Sequence, residues 1–331
     1  MSEMPANELL GTLREAKPRE RGMTLVSDRL SPIDNDFLGQ TADHIDFIRF
    51  DSCIPFMVDR QKLLGRIRQY HDLGIKVMSD GTLLEIATQR GVASQVLETL
   101  RTLGFDLVEV SESIREMSVD AKTALVDEAS KLSMEYVFAV GGRGSKGTTS
   151  VAHMASKVQE AIELKSHKVI IEAGEQEEEE QGSGRWLYEA RGELSWDELN
   201  ELAGRFGPPN LIFEAPRISQ RTALILEFGP AVNLSDVPAE GVLSLEMQRL
   251  GLTAETFGLS RPVQSVEGSP AAKFVYHLIR SEHPVDQAVL IQRSGLPKRT
   301  LQAALGYLID HDFIREIPEA SDMRRHKYTL R

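Results

Sequence analysis

At 331 residues with 41% hydrophobic content, the chain has room for one large domain and a small one, each with its own core. Its net charge of −12 excludes binding to nucleic acid or anionic membrane through bulk charge. A single cysteine, Cys53, excludes a disulfide framework and a cysteine metal cluster.

Residues 1–21 are polar and charged and read as a loose N-terminal arm. From Met23 onward a period sets in. Short apolar runs at Met23–Asp28, Ile45–Phe50, Lys76–Ser79 and Leu107–Ser111 read as strands, and so do Tyr136–Val140, Val169–Glu172, Leu211–Glu214 and Val232–Leu234. Continuous apolar runs without alternation mark parallel strands covered on both faces. Helical stretches lie between them. Arg60–Leu73 places Leu63, Leu64, Ile67 and Tyr70 on one stripe, and Val96, Leu97, Leu100 and Leu103 repeat that spacing. Val151–Leu164, Trp196–Phe206 and Arg221–Phe228 complete similar units. Gly74, Gly104, Gly207 and Gly229 each stand where a helix must stop before the next strand.

Eight strand–helix units over about 230 residues predict an α/β fold, a closed eightfold β/α (TIM-type) barrel across residues 22–258. An open doubly wound sheet is the alternative, weakened because no Gly-x-Gly-x-x-Gly follows the first strand. Residues 259–268 form a polar linker containing proline. Beyond it, Ser269 caps a helix over Ala271–Arg280, with Pro270 at its first position. Asp286–Arg293 and Lys298–Asp310 read as two further helices, and Ile314–Ile317 and Lys327–Leu330 as strands around a polar tip, Pro318–His326. Three short helices and a β-hairpin over 269–331 predict a winged helix-turn-helix. Residues 268–331 hold 10 Lys/Arg against 7 Asp/Glu, a net of +3, which leaves −15 for residues 1–267. In the last of the three helices Leu301, Leu305, Leu308 and Ile309 are expected to pack on Phe274, Leu278 and Leu290. That leaves Lys298, Arg299, Thr300 and Gln302 free for duplex DNA, with Arg324, Arg325 and Lys327 on the wing.

Chemistry in such barrels collects at the C-terminal ends of the strands. Glu172 and Glu214 end matching apolar runs there and are read as catalytic and metal-binding acids. Arg49 joins them as a catalytic cation. Asp28, Thr82, Glu85, Arg143, Lys146, Arg217 and Asn233 are candidate substrate contacts. Other strand-end groups are Asp51, Asp80, Glu109, Glu112, Glu175 and Asp236. Acids at this density suit a hard cation such as Mg²⁺, held by one or two carboxylates and the substrate. The cations suit a phosphorylated anion. The Gly-rich segment from Gly141 to Thr149, which carries Arg143 and Lys146, precedes a helix and offers backbone N–H groups to an oxyanion, though its spacing is not that of a Walker loop. The acidic run Glu177–Glu180 reads as a solvated loop.

Six stretches carry a resemblance. They are Gly81-Thr-Leu-Leu-Glu85, Leu103-Gly-Phe-Asp-Leu-Val-Glu-Val-Ser111, Val169-Ile-Ile-Glu-Ala173, Ile212-Phe-Glu-Ala-Pro216, Phe228-Gly-Pro-Ala-Val-Asn-Leu234 and Leu245-Glu-Met-Gln-Arg-Leu-Gly-Leu252. Over roughly residues 22–257 the chain resembles the phosphosulfolactate synthase family of coenzyme M biosynthesis. The resemblance implies an eightfold barrel and a Mg²⁺-dependent carbon–sulfur lyase that adds sulfite to phosphoenolpyruvate. It also implies metal-serving roles for Glu172 and Glu214 and a site role for Asn233. Where the family usually has a Lys followed by a Gly-Trp-Gly-Thr-like turn, this chain has Arg49-Phe50-Asp51-Ser52-Cys53. An Arg keeps the anion contact but does not give up a proton near neutral pH.

The expected function is therefore addition of sulfite to phosphoenolpyruvate, or a related reaction on a phosphorylated acid. The alternative is a metabolite-sensing DNA-binding regulator whose barrel is the ligand domain. No apolar run reaches 18 residues and no signal-type core opens the chain, so a soluble cytoplasmic protein without membrane contact is expected. Association into a homo-oligomer is left open.

Overall fold

A computed structural model describes residues 15–30, 35–141, 151–172, 196–257, 259, 268–282, 285–311, 313–319 and 322–330. The chain forms two compact units, one built on Glu15–Ala223 with Val232–Glu246 and the other including the C-terminal residues. In chain order, the first elements are β1 (Thr24–Asp28), α1 (Asn35–Thr41), β2 (Phe47–Phe50), α2 (Ile54–Met57), α3 (Arg60–Asp72), β3 (Lys76–Ser79), α4 (Gly81–Gln89) and α5 (Ala93–Leu103). Next come β4 (Leu107–Val110), α6 (Val119–Lys131), β5 (Glu135–Val140), α7 (Val151–Glu163), β6 (Val169–Ile171), α8 (Trp196–Phe206), β7 (Leu211–Glu214), α9 (Ile218–Phe228), β8 (Asn233–Val237) and α10 (Val242–Arg249). The eight strands are parallel, and β1 pairs with both β2 and β8, which closes the barrel.

Each predicted strand lies on one of these eight. Local chemistry sets the helix ends between them: Asp59, Asp80 and Ser118 accept first-turn backbone N–H groups, and Gly104 ends α5 at φ 96. The stripe expected on α3 is buried at Leu63, Ile67 and Tyr70. The eighth strand is longer than predicted. It runs on through Ser235 and Asp236 to Val237, because these polar residues line the barrel mouth instead of ending the strand. A register irregularity against β1 falls at this end, and Asp236 has φ 56.

Met23, Leu25, Phe47, Met78, Leu107, Val137, Ala139, Ile170 and Ile212 form the apolar filling of the barrel. Polar groups close its lower end. The Lys17 ammonium donates to the carbonyls of Ala42 at 2.9 Å and Ile45 at 3.0 Å, and Arg19 pairs with Asp46 at 3.0 Å. With the floor apolar and the base sealed, chemistry is confined to the upper ends of the strands.

The C-terminal residues fold as α11 (Pro270–Glu282), β9 (Val285–Asp286), α12 (Gln287–Ser294), α13 (Lys298–Asp310), β10 (Ile314–Glu319) and β11 (Asp322–Leu330), with antiparallel sheet order β10-β11-β9. Their core contains Ala272, Val275, Ile279, Leu290, Leu301, Ala304, Leu305, Leu308, Ile314 and Tyr328. Two expectations need correction here. Phe274 does not receive the α13 stripe; it is 42% exposed, since α11 turns Ala272, Val275 and Ile279 inward at spacings of three and four. The hairpin tip is also much shorter than Pro318–His326, because Pro318 pairs with His326 and Glu319 with Asp322. The two-residue strand β9 was not predicted. Asp286 both ends it and caps α12 by accepting from the Val289 N–H at 2.8 Å, so the sequence there reads as a helix start.

Candidate active site

Above the apolar filling, the inward positions change from hydrocarbon to charge. Arg49 on β2, Glu109 on β4 and Glu214 on β7 stand one inward step above Phe47, Leu107 and Ile212. The Arg49 guanidinium is the hub. Nη1 donates to Glu109 Oε2 at 3.3 Å and Glu214 Oε1 at 3.2 Å, while Nη2 reaches Ser27 Oγ and Asp236 Oδ1, each at 3.5 Å. Ser27 in turn donates to Asp236 at 2.6 Å. Arg49 is 6% exposed and Glu109 2%. Burial works against the charge on Arg49, but Glu109, Glu214 and Asp236 hold its pKa well above the usual guanidinium value.

Carboxylates outnumber the cation at this level. Burial, together with repulsion from Asp80 and Glu214, pushes Glu109 up to about 8 despite Arg49 and the Gly81 N–H that donates to it. Glu172, just beyond β6, is raised well above the ordinary carboxyl value, first by burial and then by Glu214 and Glu109. Its Oε1 accepts from Ser113 at 2.9 Å, and its buried Oε2 has no hydrogen-bond partner among the described residues. A buried carboxylate oxygen without a donor is costly unless a proton or cation supplies the missing charge. With Glu214, it forms a hard-oxygen pair that fits a divalent ion of the Mg²⁺ class, which takes one or two protein carboxylates and leaves its remaining positions to substrate and water. No cage of three or more His, Cys, Asp or Glu lies among the described residues.

Several predicted contacts lie elsewhere. Asp28 faces away from the mouth: Arg66 holds it through Nε at 2.6 Å and Nη2 at 2.7 Å, and the Tyr70 hydroxyl donates to it at 2.7 Å. Its neighbour Ser27 takes the inward position. Asn233 opens β8 at the base of the barrel, accepting from the Met23 N–H at 3.0 Å and donating to the Leu211 carbonyl at 2.9 Å. It ties the first and last strands together and is remote from the strand tips. Glu85 is fully occupied, accepting from the Ser111 hydroxyl and the backbone N–H groups of Ser113, Ile114 and Arg115. It shapes the loop that brings Ser113 to Glu172. A side chain on Gly81 would collide with Ser111, so that loop also needs this glycine. Thr82 is half-buried in the first turn of α4, where its N–H is capped by Asp80. Arg217 is exposed at the start of α9. Arg143, Lys146, Glu175 and the Glu177–Glu180 run lie outside the described residues.

Glu112 had only its strand-end position to mark it. Burial raises its pKa, but hydrogen bonds from Lys122 at 2.8 Å and Lys157 at 2.9 Å pull it below the ordinary carboxyl value, consistent with a structural ion-pair network. Ser235, in register with Glu214, keeps a buried hydroxyl with no partner among the described residues. Nothing in the sequence singled it out, since the predicted strand stopped one residue short of it. On α13, Lys298, Arg299, Thr300 and Gln302 are exposed while Leu301, Ala304, Leu305 and Leu308 are buried. Lys327 is partly exposed on β11, and the Arg324 and Arg325 side chains lie outside the described residues.

Residues 12–255 match the sequence model of the (2R)-phospho-3-sulfolactate synthase (ComA) family. The chain is 32% identical to the phosphosulfolactate synthase of Methanocaldococcus jannaschii over 243 residues, 72% of this chain and 95% of that protein. It is 29% identical to the Methanothermobacter thermautotrophicus phosphosulfolactate synthase over 259 residues, 77% of this chain and 98% of the relative. A phosphosulfolactate synthase of Bacillus subtilis is 26% identical over 75% of this chain and 96% of its own length. The family match ends before α11.

Proposed function

The chain belongs to the (2R)-phospho-3-sulfolactate synthase family, and from that premise we propose that its barrel is a lyase-type enzyme that adds sulfite to phosphoenolpyruvate, or to a closely related phosphorylated enol acid, with Mg²⁺ held by Glu172 and Glu214. The observation that carries this reading is Glu172 Oε2 at the strand tips, buried without a hydrogen-bond partner among the described residues, beside the charge cluster built on Arg49. In the addition, the sulfite sulfur lone pair forms a bond to the substrate methylene carbon. The double-bond electrons move toward the carboxylate as an enediolate, and the neighbouring carbon then takes a proton. Mg²⁺ held by Glu172 and Glu214 would supply positive charge beside the substrate carboxylate. Arg49, locked from two sides, offers a fixed positive field without reorganising. Because an Arg does not release a proton near neutral pH, the acid must be another group. Glu109, set beside Arg49 at the strand tips and with its pKa pushed up to about 8 by burial and the neighbouring acids, is the group proposed for that role.

The test is turnover by the purified full-length chain with phosphoenolpyruvate, sulfite and Mg²⁺, followed by ³¹P NMR. Formation of phosphosulfolactate is expected. Absence of product with this pair, and with other phosphorylated enol acids at saturating sulfite, overturns the proposal.

A second reading concerns the C-terminal unit, proposed as a winged helix-turn-helix that binds duplex DNA under control of the barrel. The amphipathic division of α13 favours it, with a polar first turn of Lys298, Arg299 and Thr300 facing solvent. Fluorescence anisotropy of the full chain with duplex DNA should show binding at low salt. The expected slope of log K against log salt is about −0.9 per phosphate neutralised. The Lys298→Ala/Arg299→Ala variant should bind more weakly with a shallower slope. No binding at low salt, or binding indifferent to salt and substitution, removes the DNA reading.

A further inference from the structure

We propose that Arg221 anchors a second binding site, for a tetrahedral oxyanion such as a phosphate group, beside the connections that follow β7 and β8. Arg221 stands in the first turn of α9, is 2% exposed, and is the largest of the fully buried side chains. Its Nε and Nη1 are buried with no hydrogen-bond partner among the described residues. Arg19 and Arg49 are buried against acids: Arg19 pairs with Asp46, and Arg49, whose Nε also has no partner among the described residues, meets three carboxylates. Around Arg221 the acid that acts on the guanidinium is Glu240, which is itself exposed to solvent, and burial outweighs it, lowering the pKa. A guanidinium stays protonated in proteins, so the site holds a desolvated positive charge with vacant donors.

The backbone beside it is shaped to receive this charge. A Cβ on Gly241 would lie 3.1 Å from Arg221 Nη1 and 3.2 Å from Pro238 Cγ. The missing side chain at Gly241 lets the guanidinium lie against the short 3₁₀ turn Ala239–Gly241, which leads directly into α10. The Gly241 and Val242 N–H groups are taken by the carbonyls of Pro238 and Ala239, so α10 contributes the positive end of its dipole, which favours the same ligand charge as Arg221. Gln220 Oε1 accepts from the Arg217 N–H at 3.0 Å, which fixes that side chain at the start of α9. In closed β/α barrels, the loops after strands seven and eight with a short following helix are a recurrent place for phosphate. Two sources share this chemistry: the phosphoryl group of the barrel's own substrate, and a free anion acting from outside the mouth.

The two are separated by thermal unfolding of the full chain with inorganic phosphate and, in a second arm, with phosphoenolpyruvate. Arg221→Met removes a buried charge with no partner among the described residues and keeps much of the volume, so without ligand it should unfold at a higher temperature than the parent protein. Inorganic phosphate should raise the parent's unfolding temperature and leave that of Arg221→Met unchanged, with affinity weakened at least about tenfold. Glu172→Gln/Glu214→Gln should keep the phosphate shift, so failure of the reaction proposed for the mouth does not remove this site. Loss of the phosphoenolpyruvate shift in Arg221→Met assigns the site to the substrate's phosphoryl group. Its retention, with loss of the inorganic phosphate shift, assigns a separate anion. Arg221→Gln serves as a second variant if Met does not fold. Equal phosphate shifts in parent and variant, or an unliganded variant that is less stable than the parent, overturns the proposal.

Discussion

Arg49→Met is expected to destabilise the barrel by about 3–5 kcal/mol near pH 8, the cost of leaving buried carboxylates without their cation. The groups left exposed to one another are Glu109, Glu214 and Asp236, which share its guanidinium. The loss should depend on pH. Glu109 has a folded-state pKa near 8 against about 4.3 in an unfolded chain, so between these values the folded state binds more protons. Stability therefore falls as pH rises through that window, and it falls more steeply once Arg49 no longer offsets the charge. Urea unfolding at pH 5 and pH 8 checks this: the variant's deficit should be small at pH 5 and large at pH 8. A deficit below about 1 kcal/mol at both values would show the pairs to be worth no more than surface ion pairs.

Glu172→Gln combined with Glu214→Gln should abolish Mg²⁺-dependent ligand binding and lower turnover by about a thousandfold or more, since a bound cation supplies several kcal/mol to the transition state. Stability should move the other way. Glu172 has an oxygen without a donor among the described residues and is repelled by Glu214 and Glu109. Glu172→Gln alone is therefore expected to raise the unfolding temperature near neutral pH, the signature of a group kept for chemistry at a cost to the fold. Calorimetric Mg²⁺ binding in the double variant is the direct measurement, and unchanged binding would place the metal elsewhere.

Much of the barrel was legible in the chain because its signals are local. A parallel strand shows as an apolar run, a helix as a stripe at spacings of three and four, and a glycine after the stripe ends it. No helix among the described residues is long and apolar enough to cross a membrane, in keeping with the short apolar runs. The strand-tip residues Arg49 and Glu214 were identifiable on the same grounds, as the charge that ends a run of hydrocarbon. What local signals do not carry is facing. Side chains alternate along a strand, so neighbouring residues at one strand end point to the mouth and to the outer wall, and an apolar run does not say which is which. Asp28 ends β1 where the sequence placed it but faces outward to Arg66 and Tyr70, and Ser27 holds the inward position. Asn233 failed for a related reason: its strand continues to Val237, which leaves Asn233 at the base and lifts Ser235 and Asp236 to the rim.

By itself, then, the sequence determined the eightfold alternation and which strand ends carry charge, since both are written in neighbouring residues. Only the tertiary structure decided which charges meet. Arg49 finds Glu109 sixty positions on, Glu214 at 165 and Asp236 at 187. Closure of the barrel sets those encounters. The same closure buries the groups it gathers, which raises Glu109 and Glu172 and turns a row of ordinary strand-end carboxylates into a site able to hold a proton or a cation.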